Sequence, residues 1–241
     1  MIAGRGTMPR VLVLFDVDGT LVDAGGAGRR GLEASFRRVF GVTDIARASS
    51  RVRFAGKSDP AIIAEIAHEA GIEPAALEAR YADLQRAYVE ALHGELAQPD
   101  SKRRILPGVA RLLEDLASRP DTVLGLVTGN VEDGARAKLG AFGLNHFFSD
   151  GGFASDHPDR AEIARIAHER LSRRARYRFP AGQVVVVGDT ELDVACAKAN
   201  GFRAVAVESG WVPRERLEAA SPDALFEDLT DADAVLAALL R

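Results

Sequence analysis

Four short apolar runs constrain this chain more than any other feature: Val11–Phe15, Thr122–Thr128, Gln183–Val187 and Arg203–Val207. Each is compact, rich in β-branched residues and nearly free of polar alternation. Continuous apolar strands are what a parallel sheet covered on both faces requires. Helical patterns fill the intervals: Val109–Ser118 before the second run, Ala135–Phe142 and Ala161–Leu171 before the third, Leu192–Asn200 before the fourth. Strands alternating with helices specify an α/β chain with a Rossmann-like, doubly wound parallel sheet. Weaker strand signals lie at His146–Ser149 and Ala224–Phe226.

One interval breaks the rhythm. From Asp23 to about Arg104 no strand pattern occurs, only helical stretches at Arg29–Phe40, Pro60–Ala70 and Pro74–Leu96. Gly25, Gly26 and Gly28 border it on one side and Gln98–Lys102, with Pro99, on the other; Pro107 and Gly108 open the next helix. The chain therefore leaves the sheet after its first strand and returns. This predicts an α-helical cap over residues 24–104, inserted into an α/β core formed by 9–23 and 105–241. Two linkers side by side make a hinge, which suits a lid. The segments Ile63–Glu69 and Ile163–Glu169 match at six of seven positions, but their flanks do not, so the match reads as coincidence between Ala-rich amphipathic helices.

Composition excludes several classes. An apolar fraction of 47% and a charged fraction of 27% rule out a disordered chain, a collagen and a disulfide scaffold. The 31 basic and 35 acidic residues give a net charge of −4, against a nucleic-acid footprint. Even the Arg170–Arg178 stretch then reads as a solvated helix end and loop. The single cysteine, Cys196, excludes an intramolecular disulfide and a cysteine zinc cluster, and reads as a small core residue. No apolar run approaches the roughly 18 residues of a membrane span. Met1–Arg10 is basic but is followed only by Val11–Phe15, too short for a signal-peptide core. The expectation is a cytoplasmic monomer or homodimer with no nucleic-acid or membrane partner.

In doubly wound sheets, ligands sit beyond the carboxyl ends of the strands. After the first run comes Asp16-Val-Asp18-Gly19-Thr20-Leu21, after the second Thr128-Gly129-Asn130, and after the third Gly188-Asp189-Thr190-Glu191-Leu192-Asp193. Asp and Asn also end strands as turn and cap residues. Three strand ends at once are a different matter, because crowded carboxylates repel unless a cation joins them. Charged oxygen ligands, few in number, suit Mg²⁺, which often binds a substrate phosphate as well.

These three segments resemble the first, second and fourth motifs of the haloacid dehalogenase superfamily. The helical insert is similar to the cap of its phosphoglycolate-phosphatase-like branch, and the resemblance covers the chain from Val11 to the segment Asp223–Leu240. It implies a Mg²⁺-dependent phosphatase acting on a small phosphorylated metabolite through an aspartyl-phosphate. Asp16 would be the nucleophile and Asp18 the general acid and later base; period-two geometry puts both on one face if the strand continues through them. Gly19 allows a sharp turn, and Thr20 is a candidate for substrate binding or a hydrogen bond within the loop. Thr128 and the N–H of Gly129, with Asn130, would bind the phosphoryl group. Asp16, the backbone carbonyl of Asp18, Asp189 and Asp193 would hold the metal or orient its waters.

The third motif departs from the pattern. The family usually supplies a lysine there, but Asp150–Glu162 reads DGGFASDHPDRAE. Arg160, near a helix start signalled by Pro158, is the cation of certain charge in that stretch and takes the role; His157 is a weaker candidate. In the insert, Phe54–Pro60 is a loop entering a helix that Ser58 or Asp59 could cap. Its Lys57 is a candidate for contact with the leaving group.

Three rival readings use the same motifs. A dehalogenase proper needs no metal, and Asp18, Asp189 and Asp193 would then be superfluous. A phosphomutase shares every motif, although Thr20 is more typical of phosphatases. A catalytically silent binding protein on this fold would be marked by loss of the nucleophile, and Asp16 is intact.

Overall fold

The computed structural model describes residues 11–241. The Met1–Arg10 stretch, including the first residues assigned to the core, lies outside the described residues. The chain runs β1 (Val11–Phe15), β2 (Val22–Asp23), then helices α1 (Ala27–Phe40), α2 (Ile45–Ser50), α3 (Asp59–Glu69) and α4 (Pro74–Ala97). It returns through β3 (Arg104–Ile105), α5 (Val109–Ala117), β4 (Thr122–Val127), α6 (Glu132–Ala141) and β5 (Gly151–Gly152). It closes with α7 (Arg160–Ala175), β6 (Val184–Gly188), α8 (Glu191–Ala199), β7 (Arg203–Val207), α9 (Arg214–Ala219), β8 (Ala224–Phe226) and α10 (Ala232–Leu239).

Six strands form one parallel sheet in the order β5-β4-β1-β6-β7-β8. This is the Rossmann-like α/β fold. Every residue of β1 is buried, and alternate side chains enter different layers. Val11, Val13 and Phe15 pack with Leu112 and Leu116 of α5 and Leu139 of α6. Leu12 and Leu14 pack with Ile163, Ala167 and Leu171 of α7. A buried Val, Leu or Phe contributes roughly 1.5–3 kcal/mol, so neither face of β1 tolerates a polar residue.

Helices α1 to α4 surround their own apolar cluster, with Leu32, Phe36, Ile63, Leu84 and Tyr88 at its centre. Val131 and Ala137 from the sheet side complete that cluster, so the helical layer is seated on α6. The two crossings between layers are strands β2 and β3, an antiparallel ribbon pairing Val22 with Ile105 and Asp23 with Arg104. Among the described residues, no helix is long and apolar enough to cross a membrane.

One strand expectation fails. A 3-10 turn over Asn145–Phe147 overlaps the start of His146–Ser149, and the edge strand β5 falls afterwards on Gly151–Gly152. The aromatic run serves as a plug: Phe148 is buried and meets Phe15 edge-on, with ring centroids 6.1 Å apart. Its apolar character comes from packing, not from a strand ladder.

Candidate active site

Strand β1 lies between β4 and β6, and the chain leaves β4 toward β5 but β6 toward β7. The sheet reverses direction there, which opens a crevice at the carboxyl ends of the three strands. Asp16, Thr128 and Asp189 each follow one of them directly. A cavity of about 480 Å³ fills the crevice under the helical layer; Asp16, Asp18, Thr128, Gly129, Asn130, Arg160 and Asp189 line it from the sheet side. Arg29, Phe54, Lys57, Asp59 and Tyr88 line it from above.

Asp16, Asp189 and Asp193 are buried together, with carboxylate oxygens within 4.8 Å of one another. Burial, with the charge of Asp193, pushes Asp16 up to about 6 although Arg160 opposes it. Burial and the two neighbouring acids hold Asp189 well above the usual carboxylate range. Asp189 Oδ1 accepts a 3.3 Å hydrogen bond from Thr20 Oγ1, but the buried Oδ2 has no partner among the described residues. A Cβ on Gly19 or Gly210 would fall 2.4 or 1.8 Å from that oxygen, so both glycines are needed for the backbone to approach it.

Leaving a buried acceptor unsatisfied is costly, and a hard cation with oxygen ligands is what this donor set fits. Asp193 differs. Its Oδ2 accepts from Thr190 N at 3.0 Å and Thr190 Oγ1 at 2.6 Å in a capping box opening α8, and its Oδ1 accepts from Arg160. Both oxygens are therefore engaged by protein donors, which leaves Asp16 and Asp189 as the carboxylates open to a cation.

Arg160 opens α7, with Asp159 as N-cap accepting from Ala161 N at 2.7 Å. Its guanidinium donates to Asp193, lies 3.4 Å from Asp16 Oδ2, and donates to the Gly56 carbonyl at 3.0 Å. Burial works against that charge, but Asp193 and Asp16 outweigh it and hold the group above its ordinary value. The lysine-free segment thus places a fixed cation beside Asp16. His157 points elsewhere, its Nδ1 accepting from Asp159 N at 3.0 Å.

A second cation is one the sequence reading passed over. Lys138 of α6 is 5% exposed, and its Nζ donates to Asp18 Oδ2 and to Asn130 Oδ1, both at 2.5 Å. Asn130 Nδ2 also reaches Asp18 Oδ2 at 2.8 Å and Thr128 Oγ1 at 2.8 Å. The available signal was a lysine between Ala137 and Leu139 on a helix whose neighbouring residues are small or apolar.

The haloacid dehalogenase-like hydrolase family matches residues 13–198 of the chain. The chain belongs to that family. A phosphoglycolate phosphatase of Rhodospirillum rubrum is 30% identical over 233 residues, covering 92% of this chain and 88% of that protein. One of Synechococcus elongatus is 32% identical over 145 residues, covering 57% of this chain and 62%, less than two thirds, of that protein. The crystal structure of CbbY from Rhodobacter sphaeroides in complex with phosphate shares the fold, with a TM-score of 0.71 and 24% identity over 91% of this chain and 95% of that one.

Several residues read as substrate contacts sit differently in this hydrolase. Thr20 is fully buried behind Asp189 and outside the cavity lining, and its hydroxyl donates to that carboxylate. Asn130 lines the cavity, but its amide is committed to Asp18, Thr128 and Lys138. Lys57 Nζ pairs with Glu65 at 2.6 Å. The loop carrying Lys57 nevertheless rests on the second motif: a Cβ on Gly129 would meet the Lys57 carbonyl oxygen at 2.5 Å.

Asp59 fastens that contact. Its N–H donates to Gly129 O at 2.6 Å, and its Oδ2 accepts from Val131 N at 2.9 Å. Sequence reasoning also missed Arg29, whose guanidinium stacks on Phe54 at 3.8 Å and donates to Ser49 Oγ at 2.8 Å. Cys196 is buried, and burial pushes its thiol up to about 12, as a core residue requires.

Proposed function

We propose that this hydrolase is a Mg²⁺-dependent phosphatase of the phosphoglycolate-phosphatase-like kind, releasing phosphate from a small phosphorylated metabolite through an aspartyl-phosphate on Asp16. The observation that carries the reading is the separate provision for two carboxylates facing one cavity. Asp16 lies against Arg160 and the acid cluster, whereas Asp18 lies against Asn130 and Lys138. Two acids with different surroundings suit two tasks. The relatives that are phosphoglycolate phosphatases point the same way.

In this mechanism a carboxylate oxygen of Asp16 attacks phosphorus in line, and the bond to the ester oxygen breaks as the Asp16–phosphorus bond forms. Asp18 gives its proton to the departing oxygen. It then takes a proton from the water that hydrolyses the aspartyl-phosphate, and Asp16 is restored. Thr128 Oγ1 and the Gly129 N–H hold the phosphoryl oxygens, and Arg160 opposes their charge. Asp193 keeps Arg160 and the loop at α8 in place.

Helices α1 to α4 act as the cap that excludes water over the site. Asp16, Asp189 and the backbone carbonyl of Asp18 would hold Mg²⁺, which when bound neutralises phosphoryl charge. A panel of phosphate monoesters assayed with and without Mg²⁺ tests the reading. Phosphate release that requires Mg²⁺ supports it. Halide release from a 2-haloacid by metal-stripped protein, with no ester hydrolysed, would replace it by dehalogenase chemistry.

A further inference from the structure

Lys138 takes no chemical step in the scheme above, and its position is too constrained for a solvated lysine. Lysines are almost never fully buried unless paired, because the ammonium must give up its hydration. Here the compensation comes from two acceptors that both belong to the site. Lys138 Nζ, Asn130 and Asp18 close a three-membered ring: the ammonium donates to both partners, and Asn130 donates to the same Asp18 oxygen. Burial works against the ammonium, but Asp18 and then Asp59 outweigh it and keep its proton affinity above the ordinary lysine value. Tyr88 of α4 packs close by, since a Cβ on Gly28 would touch both its hydroxyl and Lys138 Nζ.

The ring treats the two oxygens of Asp18 unequally. Oδ2 receives both donors, one of them charge-assisted. Oδ1 receives no protein donor among the described residues. Rotation of the carboxylate would break both bonds to Oδ2, so the same oxygen is presented to whatever lies in the cavity. We propose that Lys138 is a positioning residue that fixes Asp18 so that Oδ1 alone exchanges the proton with leaving group and water. The inference rests on the phosphatase reading and adds a residue to it. Asn130 cannot do this by itself, because it is neutral and its second N–H is spent on Thr128.

The competing explanation is that Lys138 merely ties α6 to the loop after β1. The two differ in what they do to substrates with unequal leaving groups. Proton delivery matters for an alkoxide and little for p-nitrophenolate. Lys138→Met should therefore keep p-nitrophenyl phosphate turnover within about tenfold while alkyl phosphate turnover falls by roughly 100-fold or more, at the lower end of what acid–base catalysis supplies. Lys138→Arg should recover part of the alkyl activity.

The experiment measures kcat/KM across aryl and alkyl phosphates of graded leaving-group pKa, with Tm measured alongside. A loss equal across the series, or no loss, overturns the proposal. Lys138→Gln, which keeps a donor, carries the same test if the methionine variant does not fold. In an Asp18→Asn background Lys138→Met should add little; a full further loss on alkyl phosphates also overturns it. A wild-type protein that hydrolyses no ester of the series fails the phosphatase reading instead, before any variant is compared.

Discussion

One guanidinium, that of Arg160, joins Asp16 to the cap: it lies 3.4 Å from Asp16 Oδ2 and donates to the Gly56 carbonyl at 3.0 Å. A planar fork with five donors can serve both ends at once, whereas an ammonium is a point charge. Seating of the loop over the site and neutralisation of Asp16 are thus tied to one side chain. Arg160→Ala should lower kcat/KM by at least ~100-fold, about 2.7 kcal/mol of transition-state stabilisation. Arg160→Lys should recover kcat better than KM, because it restores the charge but not the bond to Gly56. Steady-state kinetics on both variants checks this, and a wild-type rate for the alanine variant would remove Arg160 from the chemistry.

The unpartnered Oδ2 of Asp189 makes the metal testable without turnover. A ligand at about 100 times its Kd stabilises the native state by about 2.7 kcal/mol, a rise of several degrees in Tm for a chain of this size. Mg²⁺ should raise the Tm of the wild type and EDTA should reverse the rise. Asp189→Asn should not respond, and should itself melt no lower than metal-free wild type, since a neutral amide replaces a buried carboxyl crowded by Asp16 and Asp193. An equal Mg²⁺ shift in the variant would place the cation elsewhere.

What was legible in the chain was local. Val11–Phe15 announces a buried strand because its cover on both faces demands apolar residues throughout, and Asp16 and Asp18 follow it directly. Lys138 was not legible because its meaning depends on Asp18, 120 positions away. Thr20 reads as a site residue from its place in the loop, yet its partner is Asp189, 169 positions on. The ribbon of β2 and β3 is too short for any periodic signal, and β5 is two glycines with no apolar signal at all. The short helices α2 and α9 lack a face long enough to show a period.

Gly129 tests how closely the cap must seat. A Cβ there would stand 2.5 Å from the Lys57 carbonyl oxygen and 2.9 Å from Ser58 Cα, and backbone cannot yield as a side chain would. Gly129→Ala should therefore lift the loop and lengthen the bond from Asp59 N to Gly129 O. Displacement of about 1 Å in a positioning element can cost roughly 100-fold in rate. Kinetics should show a fall approaching that size, and Tm should drop as well, because overpacking against backbone costs about 1–3 kcal/mol. Unaltered kinetics would show that the contact is incidental.

Asp59 should leave a mark on stability against pH. Burial raises its carboxyl to about 6, with Lys138 and the Val131 N–H opposing and Asp18 adding. Its folded value lies above its unfolded value, so between about pH 4 and 6 the native state binds more protons, and wild-type stability falls as pH rises through that window. Asp59→Asn removes that loss and keeps an acceptor for Val131. Relative to wild type, the variant should gain as pH rises from 4 to 7, by about 2–3 kcal/mol at most, and match it below pH 4. Urea denaturation at several pH values checks the sign. A variant less stable than wild type at pH 7 would mean that the charge itself is the useful feature.

Asp16 and Asp18 differ in task, so their losses should differ in kind. Asp16→Asn keeps the shape but removes the negative nucleophile, and no phosphoenzyme should form on any ester. Asp18→Asn keeps the nucleophile but removes the proton donor and the later base. With p-nitrophenyl phosphate, whose leaving group needs little protonation, transfer to Asp16 should survive in part. The aspartyl-phosphate should then accumulate, because the attacking water has lost its base. Intact-protein mass spectrometry after rapid acid quench reads this directly as one added phosphoryl group. Labelling of Asp16→Asn to the wild-type extent would refute the nucleophile assignment. Hydrolysis of alkyl phosphates by Asp18→Asn at the wild-type rate would remove Asp18 from proton transfer, and with it the task given to Lys138.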